Sequence, residues 1–314
     1  MNIIKDSLDL IGNTPLLLVK NLDTGPCNLY LKLESFNLGG SIKDRPAKNM
    51  IIEAEKKGLL RKGGTIVEAT AGNTGIALAI MAVKRGYKVV IIVPDKMTIE
   101  KVYHLKALGA EVIVARSDVV NGHPEYYLEI AKKIAKERKA FYINQFSNQA
   151  NIKSHIKDLG PEIYKQLNGK IHAFVAGVGT GGTISGIGKF LKSKNKKCEL
   201  VLADPKGSIL KDLIKTGKIN KNVGSWIVEG IGEDFCPPLL DTSLIDHAYS
   251  ISDFEAIDSC RKLLQNEGIL AGSSSGTLLA TALKFCKAQK VKKNVVTLIC
   301  DAGDKYLRKI YNES

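Results

Sequence analysis

Residues 34–50 read ESFNLGGSIKDRPAKNM and place Lys43 just behind Gly39, Gly40 and Ser41. Adjacent glycines permit a tight backbone turn, and the residues after Lys43 follow a helical pattern. A lysine on a solvated surface needs no such setting. The segment therefore predicts that Lys43 is held at the start of a helix and is positioned for chemistry.

Size and apolar content indicate an ordinary globular protein. The chain has 314 residues, which favours about two domains, and 44% of them are hydrophobic. Its longest apolar runs, such as VVIIVP, are far shorter than a membrane span. The first residues, MNIIKDSLDLIG, carry early acids and no long apolar core, so they do not resemble a secretory signal. We expect a cytoplasmic protein without a membrane partner.

The formal net charge is +14, with 46 basic and 32 acidic residues. The lysines are spread along helical stretches, and no basic patch is interleaved with aromatic residues. A solvated basic surface explains this pattern better than nucleic-acid binding, and it would attract anionic ligands. We therefore expect no nucleic-acid partner.

Six cysteines are present, but none forms a C-x-x-C pair, and the five histidines do not cluster with them. The spacing is that of free thiols in a reducing compartment, so we expect neither a disulfide framework nor a metal site.

Short β-branched runs alternate with longer amphipathic segments, which predicts an α/β fold whose parallel sheets are covered by helices on both faces. Residues 205–235 show no clear period, and we expect them to form a lid or a flexible loop. The predicted strands are GTIVEAT, KVVIIVP, EVIVAR, AFYINQ, AFVAGV, ELVLAD and VVTLIC, and the predicted helices are 74–86, 98–108, 125–138, 183–193, 253–267 and 276–288.

Three glycine-rich turns, at residues 68–79, 176–191 and 268–282, each follow a predicted strand and precede a predicted helix. Backbone N–H groups converge at the start of a helix, where the helix dipole favours anions, and glycine lets a ligand approach. Such turns are therefore candidates for binding charged groups.

The second turn contains the best phosphate cradle, Gly179, Thr180, Gly181, Gly182 and Thr183. It has no lysine, so it is not a P-loop. A dinucleotide site would need an acidic residue about 20 positions on, where Asp204 is only a weak candidate. Taken alone, the sequence also suits a tight turn without a ligand. Together with Lys43, it offers what pyridoxal phosphate requires, an amine and a phosphate site.

Seven segments occur along the chain in this order: IGNTPLL, LYLKLESFNLGGSIKDR, GNTGIALA, GVGTGGTISG, VEGIGEDF, GILAGSSSG and DAGDKYL. The same segments occur in the same order in a known family of enzymes. From about residue 8 to 311 the chain resembles the cysteine synthase and cystathionine β-synthase family of fold type II pyridoxal-phosphate enzymes. The resemblance implies two domains with mostly parallel twisted sheets, as in the tryptophan synthase β subunit. Residues 36–148 would form a smaller mobile domain with Lys43 and the Asn73 loop. Residues 1–35 and 149–314 would form the larger one.

The resemblance also implies cofactor-binding roles. Lys43 would bind pyridoxal 5'-phosphate as a Schiff base and later transfer protons. Asn73 would contact the ring hydroxyl, and Ser274 would face the pyridine nitrogen. Helix capping is an alternative role for both Asn73 and Ser274. The phosphate would be held by Gly179, Thr180, Gly181, Gly182 and Thr183.

The substrate carboxylate would be bound, by the same resemblance, through Thr70, Gly72, Thr74 and Gln145. Gln145 also suits a polar strand end. Ala71 stands where many family members carry serine, so one hydroxyl contact is missing.

Other polar residues have alternative roles. His155 is expected to pack or cap. Asp301 and Asp304 suit a solvated turn as well as a site.

The implied reaction is a β-replacement on L-serine or an activated serine, in which a thiol adds to an aminoacrylate. Our leading prediction is a cystathionine β-synthase that joins serine or O-acetylserine to homocysteine. A cysteine synthase that uses sulfide is the main alternative. Glu233 and Asp234 could meet the ammonium group of homocysteine, or could be solvated loop acids. Family members are usually homodimers, so we expect a homodimer.

Four other hypotheses remain open. A 2,3-diaminopropionate-type synthase would use an amine nucleophile, and a serine or threonine dehydratase would release a keto acid without a thiol. A non-catalytic scaffold would bind no cofactor. A Rossmann-type oxidoreductase would bind a nicotinamide cofactor and leave Lys43 without a role.

Overall fold

The computed structural model describes residues 3–95, 97, 99–119, 122–219 and 223–312. The chain forms two compact units. Unit 1 consists of Met1–Ile11 and Lys43–Asn151, and unit 2 consists of Gly12–Ile42 and Ile152–Ser314. The sequence-based division at residues 36 and 148, and the mobility of the smaller domain, stay predictions.

The strands of the described residues are short and mostly buried, as expected for sheets with covered faces. In chain order they are β1 (Leu16–Leu18), β2 (Asn28–Leu33), β3 (Thr65–Ala69), β4 (Lys88–Pro94), β5 (Glu111–Ala115), β6 (Phe141–Tyr142), β7 (Ala173–Ala176), β8 (Glu199–Pro205), β9 (His247–Ile251) and β10 (Asn294–Ile299).

Most helices follow a strand and return the chain for the next parallel strand. In chain order they are α1 (Asp44–Lys56), α2 (Asn73–Arg85), α3 (Ile99–Ala107), α4 (Tyr127–Glu137), α5 (Gln149–Ser154), α6 (Gly160–Gln166), α7 (Gly182–Lys194), α8 (Leu210–Thr216), α9 (Asp253–Glu267) and α10 (Ser273–Lys287).

Unit 1 is built on a four-stranded sheet with the order β5-β4-β3-β6, and all of its strand pairs are parallel. Side chains alternate between the two faces of a strand, so Val67 and Ala69 of β3 share one face. They pack there with Ala131 and Ala135 of α4. Glu68 lies on the opposite face of the same strand and is buried.

Unit 2 is built on a six-stranded sheet with the order β1-β2-β10-β7-β8-β9. Only the β1–β2 pair of this sheet is antiparallel. Every residue of β7 is buried, which fits a central parallel strand covered on both faces. The predicted α/β class with mostly parallel sheets is therefore confirmed.

The predicted irregular segment, residues 205–235, is more ordered than expected. It contains helix α8, and its residues 220–222 lie outside the described residues. Turns tie the segment to its own unit, since the Gly224 N–H bonds the Gly207 carbonyl and the Gly232 N–H bonds the Val178 carbonyl. The prediction of a wholly irregular stretch is wrong for α8, whose seven residues are too few to show a period.

All six cysteines are free thiols, and Cys27, Cys198, Cys260 and Cys286 are buried. Burial raises the pKa of Cys198 and of Cys260 to about 12, so these thiols stay protonated at neutral pH. They act as small apolar side chains of the core. Over the described parts of the chain, no helix is both long and apolar enough to span a membrane.

Gly276 marks the tightest helix contact in unit 2. A Cβ atom there would lie 2.1 Å from the Ala256 carbonyl oxygen and 2.5 Å from the Cys260 Sγ. Gly188 in α7 is also crowded, but its nearest neighbour is a side-chain atom, the Leu200 Cδ1, at 2.2 Å. The two positions therefore differ in whether the obstacle can move.

We predict that Gly276→Ala lowers the free energy of unfolding by about 1–3 kcal/mol, because backbone must shift to relieve the clash. Gly188→Ala is the matched control. It should cost less than about 1 kcal/mol, since a leucine methyl can rotate and alanine has the higher helix propensity. Urea unfolding measures both. Equal losses in the two variants would show that the α9–α10 contact is not what requires glycine.

Candidate active site

Lys43 stands directly before helix α1, where its carbonyl accepts the Ala47 N–H at 3.0 Å. The helix start that the sequence predicted after Lys43 is confirmed. In unit 2, the preceding turn has Gly40 at a φ of +73°. The Ile42 N–H bonds the Cys300 carbonyl at 2.8 Å. The residues just before Lys43 are thus fixed to the end of β10.

Thr70 and Gly72 shape the turn between β3 and α2. The Thr70 N–H extends the β3–β4 ladder to the Ile92 carbonyl at 2.9 Å. The Thr70 Oγ1 accepts the Gly72 N–H at 3.2 Å. Asn73 then begins α2 and is half-buried. The turn therefore presents the N-terminal end of a helix beside a buried threonine hydroxyl.

Thr74 and Gln145 are far apart in sequence but meet in unit 1. The Thr74 Oγ1 donates to the Gln145 Oε1 at 2.7 Å, and both side chains are buried. Because the amide oxygen is used by Thr74, the Gln145 Nε2 is left as the donor end of the amide. A donor of this kind suits a carboxylate. The structure thus brings together two of the four predicted carboxylate-binding residues.

Sequence reasoning missed Glu68, the acid that supports this turn. Its carboxyl is 1% exposed and accepts the Ala69 N–H at 2.9 Å and the Gln145 N–H at 3.1 Å. Burial raises the pKa of Glu68 to about 8, against the opposing effect of these backbone donors. The available signal was an acid inside the apolar strand TIVEA, where a charged residue is unusual.

In unit 2, the phosphate cradle connects β7 to α7 through glycines that cannot be replaced without a clash. A Cβ at Gly179 would lie 2.5 Å from the Gly230 carbonyl oxygen. Gly181 has a φ of +82°, and its Cβ would lie 2.7 Å from the Leu240 nitrogen. The loop is therefore closely packed against residues 230–240, which fixes its backbone.

Two threonines add hydroxyls to the cradle. The Thr180 side chain is buried, and its Oγ1 lies 3.4 Å from the Gly182 nitrogen, which donates to it. The Thr183 Oγ1 lies 3.2 Å from the Nε2 of His155, which is buried. His155 thus supports the cradle through Thr183, in keeping with its expected packing role.

Ser274 lies in the first turn of α10 between two serines with different roles. The Ser273 Oγ accepts the Glu229 N–H at 3.0 Å, and the Ser275 Oγ accepts the Cys300 N–H at 2.9 Å. Ser274 is buried, yet within the described ranges its hydroxyl has no protein partner. A buried hydroxyl is normally bonded, so Ser274 is available to a ligand.

Helices α2, α7 and α10 share one further property. Each begins after a glycine, at Gly72, Gly181 and Gly272, and none of these caps supplies a side-chain hydrogen bond. Helix α9 differs, because Ser252 and Glu255 form a complete capping box. The first N–H groups of a helix need an acceptor from outside the helix. The glycine-capped ends therefore fit an anionic ligand.

Three aspartates of unit 2 that the sequence singled out differ in burial and in hydrogen bonding. Asp301 is buried and accepts the Tyr306 hydroxyl at 2.7 Å, so it is not part of a solvated turn, whereas Asp304 is exposed. The Asp204 Oδ2 accepts the Lys211 N–H at 2.8 Å, and burial raises the pKa of Asp204 to about 6. Asp204 therefore caps the start of α8, which leaves the dinucleotide hypothesis without its acid.

Glu233 lies beside the cradle. The Ser208 hydroxyl both donates to the Glu233 carbonyl and accepts its N–H, each at 3.1 Å. The Glu233 Oε1 is 4.0 Å from the position that a Cβ of Gly179 would occupy. Asp234 is exposed. Of these two acids, Glu233 is therefore the one with a fixed backbone near the cradle.

The residues of each unit fit a part of pyridoxal phosphate. Lys43 of unit 1 offers an amine, and unit 2 offers a fixed loop of glycines and threonines at a helix start and a buried serine hydroxyl without a protein partner in the described part of the chain. Unit 1 holds Lys43, the 70–74 turn and Gln145, and unit 2 holds the cradle and Ser274.

Residues 8–301 match the model of the family described as pyridoxal-phosphate dependent enzyme. The chain belongs to this family. The predicted family of pyridoxal-phosphate enzymes and the predicted cofactor are thereby confirmed.

Two relatives of known name are similar to this chain over nearly its whole length. A protein named cystathionine beta-synthase from Apis mellifera is 42% identical over 99% of this chain, which spans 62% of that relative's length. A Bacillus subtilis protein named O-acetylserine dependent cystathionine beta-synthase is 40% identical and is matched over 98% of both chains.

Solved structures give the same fold. The crystal structure of O-ureido-L-serine synthase matches with a TM-score of 0.91 and 32% identity, over 100% of this chain and 98% of that one. A hydrogen sulfide-producing enzyme from Fusobacterium nucleatum matches with a TM-score of 0.88 and 38% identity, over 97% and 100% of the two chains.

We predict that Glu68 makes the stability of unit 1 fall as pH rises from about 5 to 8. The folded-state pKa of about 8 exceeds the ordinary value of 4.5, so the native state binds the proton more tightly than the unfolded state. The stability is therefore complete below pH 4.5 and is lost as the carboxyl ionises, at a slope of up to about 1.4 kcal/mol per pH unit. Urea unfolding of wild type and Glu68→Gln across this range measures it. A wild-type slope that survives in Glu68→Gln would contradict the assignment.

Proposed function

We propose that the chain is a pyridoxal-phosphate enzyme that replaces the β-substituent of L-serine or an activated serine with a thiol. The observation that carries the proposal is the buried Thr74–Gln145 pair at the glycine-capped start of α2. This arrangement supplies hydroxyl, amide and backbone donors for the carboxylate of an amino acid. The similarity to proteins named cystathionine beta-synthase and cysteine synthase supports it.

Bound pyridoxal phosphate supplies an electron sink that acidifies the Cα–H bond of an attached amino acid. Lys43 would hold the cofactor through its Nζ, and the same amine would then take the proton from Cα. Asn73 would donate to the ring hydroxyl. Ser274 would bond the ring nitrogen as a neutral hydroxyl, which leaves that nitrogen unprotonated and favours elimination over transamination.

The remaining residues would bind and orient. Residues Gly179 to Thr183 would hold the phosphate with backbone N–H groups and two hydroxyls at the start of α7. Thr70, Gly72, Thr74 and Gln145 would bind the substrate carboxylate, which fixes Cα relative to the proton acceptor. Loss of the leaving group and addition of the thiol would then both occur at the β-carbon.

We take homocysteine as the leading acceptor and cystathionine as the product. The Bacillus subtilis relative, which this chain matches over nearly its full length, is named for this reaction with O-acetylserine. Glu233 beside Gly179 offers a carboxylate for the ammonium group of homocysteine. Sulfide has no such group, so a cysteine synthase would not need Glu233. The cysteine synthase alternative is supported by a Dictyostelium discoideum relative of that name, which is 37% identical to this chain.

The cofactor assignment is tested by absorption spectroscopy of purified Lys43→Ala. We predict that wild type shows a visible band that a reductant fixes covalently to Lys43, and that the variant cannot form this bond. The matched control is Lys57→Ala, at the exposed end of α1, which should keep the band. A colourless wild type would favour a scaffold protein. A covalent adduct at another lysine would contradict the assignment of Lys43.

The acceptor assignment is tested by Glu233→Gln. We predict that the KM for homocysteine rises about tenfold, because a hydrogen-bonded charge pair with the ammonium group is lost. The KM for sulfide should not change. Asp234→Asn, at the exposed neighbouring position, is the control and should leave both values unaltered. Equal effects on sulfide and homocysteine would count against an acceptor role. Keto-acid release without any thiol would instead favour a dehydratase.

The homodimer predicted from the family resemblance stays a prediction. The cytoplasmic location and the absence of a nucleic-acid partner, which were predicted from the sequence pattern, stay predictions too. Light scattering of the purified protein measures the first of these directly.

A further inference from the structure

Glu68 lies where two segments of the proposed carboxylate site leave the sheet of unit 1. It is the fourth residue of β3, one position before the strand ends at Ala69. The 70–74 turn follows directly. On the other side, the Ile143 N–H bonds the Val67 carbonyl at 3.0 Å, which carries the chain past β6 towards Gln145. The Glu68 carboxyl is thus buried between the two segments of chain that follow β3 and β6.

Both oxygens of the Glu68 carboxyl group accept hydrogen bonds from backbone N–H groups. The Oε1 bonds the Ala69 N–H at 2.9 Å and the Oε2 bonds the Gln145 N–H at 3.1 Å. The nearby Asn144 N–H also lowers the pKa of this carboxyl. Asn144 has a φ of +51°, and a left-handed residue turns successive N–H groups towards one side. The chain after β6 therefore forms a small concavity, lined by backbone N–H groups, that the Glu68 carboxyl fills from within the protein.

Gln145 connects Glu68 to the residues that would bind the substrate carboxylate. Its N–H is held by Glu68, its carbonyl accepts the Asn151 Nδ2 at 3.0 Å, and its Oε1 accepts the Thr74 hydroxyl at 2.7 Å. Ala69, the other donor to Glu68, precedes Thr70 in the chain. One buried carboxyl therefore fixes both segments that would bind the substrate carboxylate.

We infer that Glu68 is a positioning residue, which holds the Gln145 segment and the 70–74 turn in register for the carboxylate of the amino-acid substrate. This inference rests on the proposed function and deepens it. Glu68 does not touch the substrate. It acts through the backbone of Gln145 and through Ala69.

A purely stabilising role accounts poorly for a carboxyl at this place. Burial raises the pKa of Glu68, and the groups that oppose this shift are backbone donors and not cations. Tyr142 of β6 lies on the opposite face of the sheet with Val67, where burial raises its pKa and the Glu68 carboxyl adds to that shift. An apolar side chain would avoid the cost of burying the acid but could not accept the Ala69 and Gln145 N–H groups. What the acid uniquely provides is a common acceptor for two separate segments.

The test compares Glu68→Gln with Glu137→Gln, an exposed acid on α4 of the same unit. An amide NH2 group cannot accept a hydrogen bond from a backbone N–H, whereas both oxygens of the acid can accept one even when the acid is protonated, so the Gln145 segment should loosen in Glu68→Gln. We expect the KM for O-acetyl-L-serine to rise about tenfold while kcat and the KM for the thiol change less than about threefold. Glu137→Gln should behave as wild type.

Two further measurements separate positioning from general stability. Amide hydrogen exchange of residues 140–149 should become faster in Glu68→Gln and not in Glu137→Gln, with or without cofactor. Adding Glu68→Gln to Gln145→Ala should raise the KM for O-acetyl-L-serine by a smaller factor than Glu68→Gln does alone, because part of what Glu68 holds in place is already lost with the Gln145 side chain. Additive effects, or a folded Glu68→Gln with unchanged KM and exchange, would overturn the inference.

If Glu68→Gln does not fold, Glu68→Asp keeps the acid but shortens its reach. It should raise the KM and speed exchange in residues 140–149, and an unchanged KM would then overturn the inference. If wild type shows no turnover with any donor, the proposed function fails. The exchange measurement would still decide whether Glu68 holds the Gln145 segment.

Discussion

Parallel strand pairing is the constraint on which the molecule depends. A parallel pair needs a crossover, and here helices provide it, so the carboxyl end of a strand leads into the start of a helix. Strand β3 leads to α2, and β7 leads to α7. Both helices begin after glycines that provide no side-chain cap, at Gly72 and Gly181. The topology alone therefore creates helix ends that can receive a carboxylate or a phosphate.

Buried polar contacts then give these ends a fixed shape. In unit 1 the Glu68 carboxyl accepts the backbone N–H of Gln145, and the Gln145 side chain accepts the Thr74 hydroxyl. In unit 2 the shape is fixed by close packing of the backbone, since there is no room for a side chain at Gly179 or Gly181. A site built in this way is pre-organised, because its donors are already oriented before a ligand arrives.

Local patterns in the sequence were enough for the α/β class, for most helices and for the central strands, since long apolar runs and glycine turns signal these directly. The sequence missed α8 inside residues 205–235, where seven residues are too few to show a period. It also missed Glu68, whose partner at Gln145 lies 77 positions away and donates a backbone N–H that no side-chain pattern reveals. Asp204 was only a weak candidate for a dinucleotide site from the sequence, and the fold shows that its carboxyl instead accepts an N–H at the start of α8.

The central claim is that this chain joins a thiol to the β-carbon of a serine-derived substrate. The most direct measurement is mass spectrometry of the product formed from β-carbon-labelled O-acetyl-L-serine and homocysteine by the purified protein with pyridoxal phosphate. The account predicts labelled cystathionine, with none formed by Lys43→Ala. Labelled pyruvate in place of a thioether, or no turnover of the donor with any thiol, would contradict it.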